Sequence, residues 1–67
     1  MTLGEFLKSK RLEKKLTQTE LAEKLDIPYQ KIQEYEYNKN LPGLKNGLKL
    51  IKILEIDLQE LEKILDI

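Results

Sequence analysis

The apolar residues of this chain recur mostly at intervals of three and four positions, with charged and polar residues between them. This spacing gathers apolar side chains on one face of an α-helix, and no long β-branched stretch alternates with the two-residue period of a strand. The sequence therefore predicts an all-α fold. Since the chain has 67 residues, we expect a modest core, because a chain of this length buries only about 60% of its unfolded surface.

Three capping-box patterns mark helix starts, each with a Thr or Asp followed three residues later by Glu. In such a box the first side chain accepts a hydrogen bond from a free backbone N–H, and the Glu side chain reaches back to do the same. The pairs are Thr2 with Glu5, Thr17 with Glu20, and Asp57 with Glu60. We expect each cap to contribute about 1 kcal/mol to helix stability.

Residues 17–37, TQTELAEKLDIPYQKIQEYEY, indicate two short amphipathic helices joined by a tight turn. Leu21 and Leu25 share one face of the first helix. Asp26 is expected to end that helix, because Asp tolerates left-handed backbone better than most residues that carry a Cβ.

The second helix of this pair is expected to begin at Pro28, whose fixed φ and missing N–H suit the first helical position. Ile32 and Tyr35, three residues apart, form its buried face. The exposed face then carries Tyr29, Gln30, Gln33 and Glu34. Two helices joined in this way have the shape of a DNA-reading helix-turn-helix.

The last third of the chain carries more apolar residues than one small monomer obviously needs. Pro42 and Gly43 are expected to start a helix with an inward stripe of Leu44, Leu48, Ile51 and Leu54. A last helix follows Asp57, with Leu58, Leu61 and Leu65 on one stripe. Some of the apolar residues in these two helices are expected to be exposed and to mark a partner surface, unless they only thicken the core. The candidates are Leu50, Ile53, Leu58, Ile64 and Ile67.

The segment LTQTELAEKLDIPYQKIQEYEYNKNLP resembles the Cro/C1 family of helix-turn-helix proteins, also called the XRE family. The similarity continues upstream through KSKRLEKK and downstream through GLKLIKILEIDLQEL, so it covers nearly the whole chain. It implies a lambda repressor-like domain over residues 1–67, a compact bundle of about five short helices with its motif at 17–37. It also implies a transcriptional regulator that binds double-stranded operator DNA, usually as a homodimer.

The resemblance also implies roles for single residues. Gln18 matches a residue that touches a phosphate and braces the recognition helix. Glu36 matches a residue that pairs with the position of Arg11, and we favour this structural ion pair over a functional carboxylate. Family dimers meet near the start of the final helix, which makes Leu58 the first candidate for the dimer contact. The positions that match base-reading residues are Pro28, Tyr29, Gln30, Gln33 and Glu34, of which Gln30 suits base readout best.

Family members grip the phosphate backbone with the segment after the recognition helix, here NKNLPGLKNGLK. Lys39 and Lys45 are the basic candidates, and Lys31 is a further one on the recognition helix. The amides of Asn38, Asn40 and Gly43 are further candidates. The alternative is a solvated loop with ordinary lysines. Tyr37 is a candidate for a phosphate contact through its hydroxyl or for a simple packing role.

Two departures from the family pattern concern glycine. Asp26 and Asn38 both stand where Gly is frequent, and Asn is the next best residue for a left-handed helix cap. A third departure is electrostatic. Glu34 and Glu36 make the second motif helix, the recognition helix, acidic, whereas attraction to phosphates requires positive charge.

The formal net charge of zero hides a sorting of charge along the chain. Residues 1–15 and 38–52 carry net charges of +3 and +4, whereas residues 16–37 and 53–67 carry −3 and −4. The most basic segment is therefore the one that directly follows the recognition helix.

Several classes of function are disfavoured by composition. The chain has no Cys and no His, so it offers neither a disulfide nor a thiolate metal site, and we expect no metal, cofactor or small-molecule substrate. The same lack of nucleophiles makes an enzyme the weakest hypothesis. No apolar run of about 18 residues and no signal-peptide pattern is present, so we expect no membrane association and a cytoplasmic protein.

Two hypotheses of different class remain. The leading one is a sequence-specific regulator that binds a roughly palindromic operator as a homodimer. The alternative is a protein-interaction module, antitoxin-like or regulatory, that uses the same fold with weak or no DNA binding. Zero net charge and Glu34 favour the alternative, whereas the motif and the basic segment after it favour the regulator.

Overall fold

The computed structural model describes residues 1–67 and contains five α-helices and no strand, which confirms the predicted all-α class. The helices are α1 (Leu3–Glu13), α2 (Gln18–Leu25), α3 (Tyr29–Glu36), α4 (Leu44–Ile53) and α5 (Leu58–Leu65). Helix α3 packs against α1 and α2, α4 packs against α2, and α5 packs against α1. None of the five combines the length and the apolar character needed to cross a membrane.

Two of the three predicted capping boxes are confirmed. The Thr2 and Thr17 side chains accept hydrogen bonds from the N–H groups of Glu5 and Glu20, whose carboxylates accept from the cap residues in return. The third box is wrong, because the Asp57 side chain accepts from the N–H of Gln59 at 2.9 Å. The carboxylate of Glu60 is drawn instead toward Lys10 Nζ, 3.2 Å away, which ties α5 to α1.

Each helix is followed within two residues by a residue in left-handed conformation, and none of these is glycine. Asp26, with φ of 59°, and Asn38, with φ of 60°, are the two that the sequence predicts. Lys15, Glu55 and Asp66 adopt the same conformation. The left-handed region ends each helix sharply and turns the chain back onto the core.

The core lies where α1, α2 and α3 meet, and α4 and the turn before α5 close it. Its ten buried apolar residues are Phe6, Leu7, Leu21, Ala22, Leu25, Ile32, Tyr35, Leu50, Leu54 and Ile56. Helix α1 approaches the end of α3 so closely at Gly4 that a Cβ there would lie 2.3 Å from the carbonyl oxygen of Glu36. The start of α1 is therefore fixed against the end of the second motif helix.

The predicted inward stripe of α4 is wrong at its first two positions. Leu44 and Leu48 are 83% and 53% exposed, whereas Leu50, expected on the outside, is 2% exposed and lies in the core. The residues at 50, 53 and 54 also follow helical spacing, and packing of α4 on α2 selects that face. Sequence periodicity alone allowed both stripes, because six of the eleven residues from Leu44 to Leu54 are apolar.

The apolar residues near the C-terminus divide into two groups. Ile53, Leu61 and Ile64 are half-buried and pack against the core. Leu58, Leu65 and Ile67 are exposed. Part of the apolar excess therefore thickens the core, and part of it remains at the surface.

Candidate nucleic-acid interface

The turn between α2 and α3 is closed by backbone hydrogen bonds. Asp26 leaves α2 with φ of 59° and ψ of 48°, and the N–H of Ile27 then donates to the carbonyl of Ala22 at 3.1 Å. Ile27 is half-buried and packs against the core. Pro28 is the N-cap of α3, so the helix begins one residue later than the sequence predicts, at Tyr29. The two helices and this turn form a helix-turn-helix.

The outer face of α3 carries the five residues with predicted base-reading roles. Pro28, Tyr29 and Gln30 are exposed, and Gln33 and Glu34 are half-buried. Pro28, Tyr29 and Gln30 lie at the start of the helix, where no side chain caps the free N–H groups, and Gln33 and Glu34 lie one turn further along. Ile32 and Tyr35 point the opposite way and lie in the core, as expected. Gln30 therefore presents an amide group that can donate and accept hydrogen bonds at the same time.

A buried polar network holds the inner side of α3. Arg11 Nε and Nη2 donate to the Glu36 carboxylate at 2.6 and 3.1 Å, and Arg11 Nη1 donates to the carbonyl of Leu16 at 2.8 Å. Gln18 Nε2 donates to the same carboxylate at 3.0 Å. Arg11 and Glu36 are each 6% exposed, and no buried side-chain polar atom is left without a partner. Glu36 thus links α1, α2 and α3.

Gln18 keeps one further donor beyond this network. Its amide has two N–H groups, and only one is needed for the hydrogen bond to Glu36. Its position as the first residue of α2 places it directly beside the capping residue Thr17. Through its hydrogen bond to Glu36, Gln18 joins the start of α2 to the end of α3.

Glu34 and Asn40, expected to contact DNA, contact each other. Asn40 Nδ2 donates to Glu34 Oε1 at 2.8 Å, and Lys31 Nζ lies 3.5 Å from the same oxygen. The hydrogen bond from Asn40, followed by the positive charge of Lys31, holds the pKa of Glu34 below its ordinary value. Glu34 is therefore an ionised group turned toward the segment that follows α3.

Asn38, a predicted phosphate contact, makes its hydrogen bonds within the protein. Its Oδ1 accepts from the N–H of Gly4 at 2.9 Å, and its Nδ2 donates to Thr2 Oγ1 at 3.0 Å. Its own N–H donates to the carbonyl of Tyr35 at 3.2 Å. The side chain and backbone N–H of Asn38 thus both make hydrogen bonds within the protein, and its phosphate contact stays a prediction. Sequence reasoning missed the contacts with Thr2 and Gly4 because these residues lie more than 30 positions away.

The amides of Lys39 and Asn40 are also engaged. Both donate to the carbonyl of Glu34, at 2.9 and 3.3 Å respectively. The Lys39 side chain and the Tyr37 ring remain exposed, with Tyr37 at 64%. Among the predicted backbone N–H contacts, only those at the start of α4, beside Gly43, are therefore free of hydrogen bonds within the protein.

The start of α4 differs from the starts of α1, α2 and α5. Those three are capped by the side chains of Thr2, Thr17 and Asp57, whereas Gly43 has no side chain to cap α4. Free N–H groups at a helix start carry partial positive charge and attract anions. Lys45, in the first turn of α4, is exposed and adds a full positive charge.

Helix α4 is held beside the motif by two further hydrogen bonds. Asn46 Nδ2 donates to the hydroxyl of Tyr35 at 3.1 Å, and Lys49 Nζ donates to the carbonyl of Leu25 at 3.1 Å. The first bond joins α4 to α3, and the second joins it to the end of α2. The uncapped start of α4 is therefore fixed relative to the outer face of α3.

An apolar groove lies between the start of α1, the segment before α4, and helices α4 and α5. It is lined by Leu3, Leu7, Ile51, Ile56, Leu61 and Leu65, among others. Of the predicted dimer-contact residues, Leu50 lines the floor of this groove as a core residue, so its expected exposure is wrong. Leu58 and Ile67 are exposed, whereas Ile53 and Ile64 are half-buried. Leu41 and Leu44 are exposed apolar residues that the sequence reasoning missed as surface candidates.

The sequence model of the family described as Helix-turn-helix matches residues 7–61. The match includes the whole motif, the basic segment after it, most of α1 and the first half of α5. The chain therefore belongs to this helix-turn-helix family, of the Cro/C1 or XRE type, which is a family of DNA-binding regulatory domains and not of enzymes. No curated protein and no solved structure matches the chain significantly.

Proposed function

We propose that residues 1–67 form one DNA-binding domain of a transcriptional regulator, which binds a palindromic operator as a homodimer. The observation that carries this proposal is the presentation of α3. Its outer face exposes Tyr29 and Gln30, while the buried Arg11–Glu36 pair and Gln18 hold its inner side. A rigidly held helix with polar side chains on its outer face suits insertion into the major groove.

Gln30 is the proposed principal base-reading residue. A Gln side chain can accept from N6 of adenine and donate to N7, so it distinguishes adenine from the other bases in the major groove. Tyr29 and Gln33 lie on the same side of α3 and are proposed to contact neighbouring base edges. Pro28 adds apolar surface at the start of the helix.

The phosphate contacts are proposed at the two ends of the motif. Lys39, Lys45 and the free N–H groups at the start of α4 form one group, and the second N–H of Gln18 forms the other. Residues 38–52 carry a net charge of +4, which favours the release of counterions from DNA. The exposed Tyr37 hydroxyl is a further candidate donor beside Lys39.

The proposed homodimer uses exposed apolar surface near α5. Leu58, at 57% exposure, and Ile67 offer contacts at the two ends of this helix, with the half-buried Ile64 between them. Ile53 is half-buried in the preceding helix. A two-fold dimer uses the same patch on both copies and places two recognition helices about one turn of DNA apart. Palindromic half-sites follow from that symmetry.

In-vitro selection from a random duplex library at moderate salt tests the proposal. Enriched and scrambled duplexes are then titrated at several salt concentrations, and the stoichiometry of the complex is measured. We expect a two-fold site, tighter binding to it than to the scramble, and affinity that falls as salt rises. No enrichment, with equal binding of both duplexes at low salt, would refute the proposal.

A second candidate function is a protein-interaction module, and the exposed apolar groove is the observation that favours it. Leu41, which lines this groove, is 76% exposed, and Leu44, three residues further along the chain, is 83% exposed. Exposed apolar clusters tend to mark partner surfaces. A chain that enriches no DNA site, yet binds an unrelated protein through these two leucines, would support this candidate.

A further inference from the structure

Glu34 closes the turn after α3 with both its backbone and its side chain. Its carbonyl accepts from the N–H groups of Lys39 and Asn40, and its Oε1 accepts from Asn40 Nδ2 at 2.8 Å. Asn40 is therefore bound to Glu34 twice. A single residue of the recognition helix thus fixes the chain at the point where it turns toward the start of α4.

This arrangement sets two physical effects of Glu34 against each other. Its carboxylate adds a negative charge to a face proposed to approach phosphates, which lowers affinity for any duplex. Its hydrogen bond to Asn40 keeps the basic segment in one conformation before DNA arrives, which reduces the entropy lost on binding. Lys31, 3.5 Å away, compensates only part of the charge, because the pair is half-exposed.

A base-reading role for Glu34 would make a different demand on the same carboxylate. A carboxylate reads cytosine by accepting from its N4 amino group. Oε1 of Glu34 already accepts from Asn40 and faces Lys31, so the side chain is turned toward its own loop. Direct readout would require this contact to loosen or the second oxygen to be used.

We infer that Glu34 is a positioning residue, which holds Lys39 and Asn40 in the conformation that contacts the phosphate backbone, and that it does not select bases. The inference rests on the proposed DNA-binding function. It separates the charge of Glu34, which opposes binding, from its hydrogen bond, which favours binding. Glu34→Gln removes the charge and keeps an oxygen that accepts from Asn40, whereas Glu34→Ala removes both.

The test titrates the full chain and its Glu34→Gln, Glu34→Ala and Asn40→Ala variants with the selected and the scrambled duplex. Glu23→Gln, on the exposed side of α2, controls for the loss of one negative charge. We expect Glu34→Gln to bind both duplexes about threefold more tightly, with an unchanged ratio between them. Glu34→Ala should bind about three to ten times more weakly than Glu34→Gln, as the loss of one hydrogen bond implies.

Two additional measurements identify the cause of these changes. Asn40→Ala should weaken binding of the Glu34→Gln chain but not that of the Glu34→Ala chain, because Glu34→Ala has already lost the contact. In the free protein, the backbone N–H groups of Lys39 and Asn40 should exchange with solvent faster in Glu34→Ala than in Glu34→Gln. Neither readout is expected from a change that only lowers global stability, which is measured in parallel by urea unfolding.

Three results would overturn the inference. A changed base preference in Glu34→Gln would mean that the carboxylate reads a base. Equal affinity of Glu34→Gln and Glu34→Ala for DNA would mean that the hydrogen bond positions nothing. Failure of the unaltered chain to bind any duplex would refute the proposed function itself, and with it the inference. If the unaltered chain binds DNA, either of the first two results refutes the inference alone.

Discussion

Gly4→Ala is expected to destabilise the fold, whereas Gly47→Ala, the same change in another helix, is expected to stabilise it. Gly4 lies in the first turn of α1, where a Cβ would lie 2.3 Å from the carbonyl oxygen of Glu36 and 2.7 Å from that of Tyr35. At Gly47, in the middle of α4, a Cβ would meet nothing within 4 Å. The two positions therefore differ in the space around the added methyl group.

The expected magnitudes follow from these distances. Alanine in a helix interior is more favourable than glycine by about 0.8–1.0 kcal/mol, so Gly47→Ala should gain most of that amount. At Gly4 the obstructing atoms belong to the backbone, and relief requires α1 and α3 to separate by roughly 1 Å. Overpacking of this kind costs about 1–3 kcal/mol, which exceeds the small gain in helix propensity near a helix start.

Urea unfolding followed by circular dichroism measures both variants. A chain of this size has a total stability of about 3–10 kcal/mol, so a difference of about 2–4 kcal/mol between the variants is readily measured. The midpoints should move in opposite directions with little change in slope. If both variants gained stability, the close approach of α1 to the end of α3 would be wrong.

Three further predictions concern charge and DNA contact. Arg11→Met should lower the free energy of unfolding by about 3–5 kcal/mol, because it leaves the buried carboxylate of Glu36 without its partner. Adding Glu36→Gln should recover part of that loss in urea unfolding. A loss below about 1 kcal/mol would contradict the argument. Gln30→Ala should weaken binding to the selected site by about 1–3 kcal/mol and relax specificity. Lys45→Ala should weaken binding to all duplexes and flatten the dependence of affinity on salt. Equal losses on the selected and scrambled duplexes from both changes would refute this difference in role. The backbone N–H of Thr17 lowers the pKa of Glu20, so its stabilising effect is present above the ordinary value of 4.5 and is lost as pH falls through the lowered pKa. The stability difference between the unaltered chain and Glu20→Gln should therefore shrink on acidification below about pH 4.5, and a difference independent of pH would contradict it.

The helix-turn-helix could be predicted because its determinants are local. The capping box at Thr17 and the left-handed residue Asp26 act over a few positions, and both are found as the sequence predicts. Ile32 and Tyr35, one helical turn apart, likewise select the buried face of α3. Interactions that span only a few positions can be predicted directly from residue type and spacing.

The orientation of α4 could not be predicted in the same way. Leu44, Leu48, Ile51 and Leu54 form one apolar stripe, and Leu50, Ile53 and Leu54 form another. The choice between them depends on contacts with α2 and α3, which lie far away in sequence. The hydrogen bond of Lys49 to Leu25 is one such contact, and it spans 24 positions. Leu50 is therefore buried and Leu41, Leu44 and Leu48 are exposed, so a test of the protein-interaction function begins with these three leucines.

Asn38 and Glu34, both departures from the family pattern, are used by the fold in ways that their residue types alone do not reveal. Asn38 adopts the left-handed conformation that Gly usually supplies, and its side chain also binds Thr2 and the N–H of Gly4. Glu34 adds an unfavourable charge to the reading helix, and its carboxylate binds Asn40. In both cases a side chain near the end of α3 fixes another segment against it. An acidic residue on the second motif helix is therefore not in itself an argument against the proposed DNA binding, because its hydrogen bonds can order the basic segment that we propose to contact the phosphates.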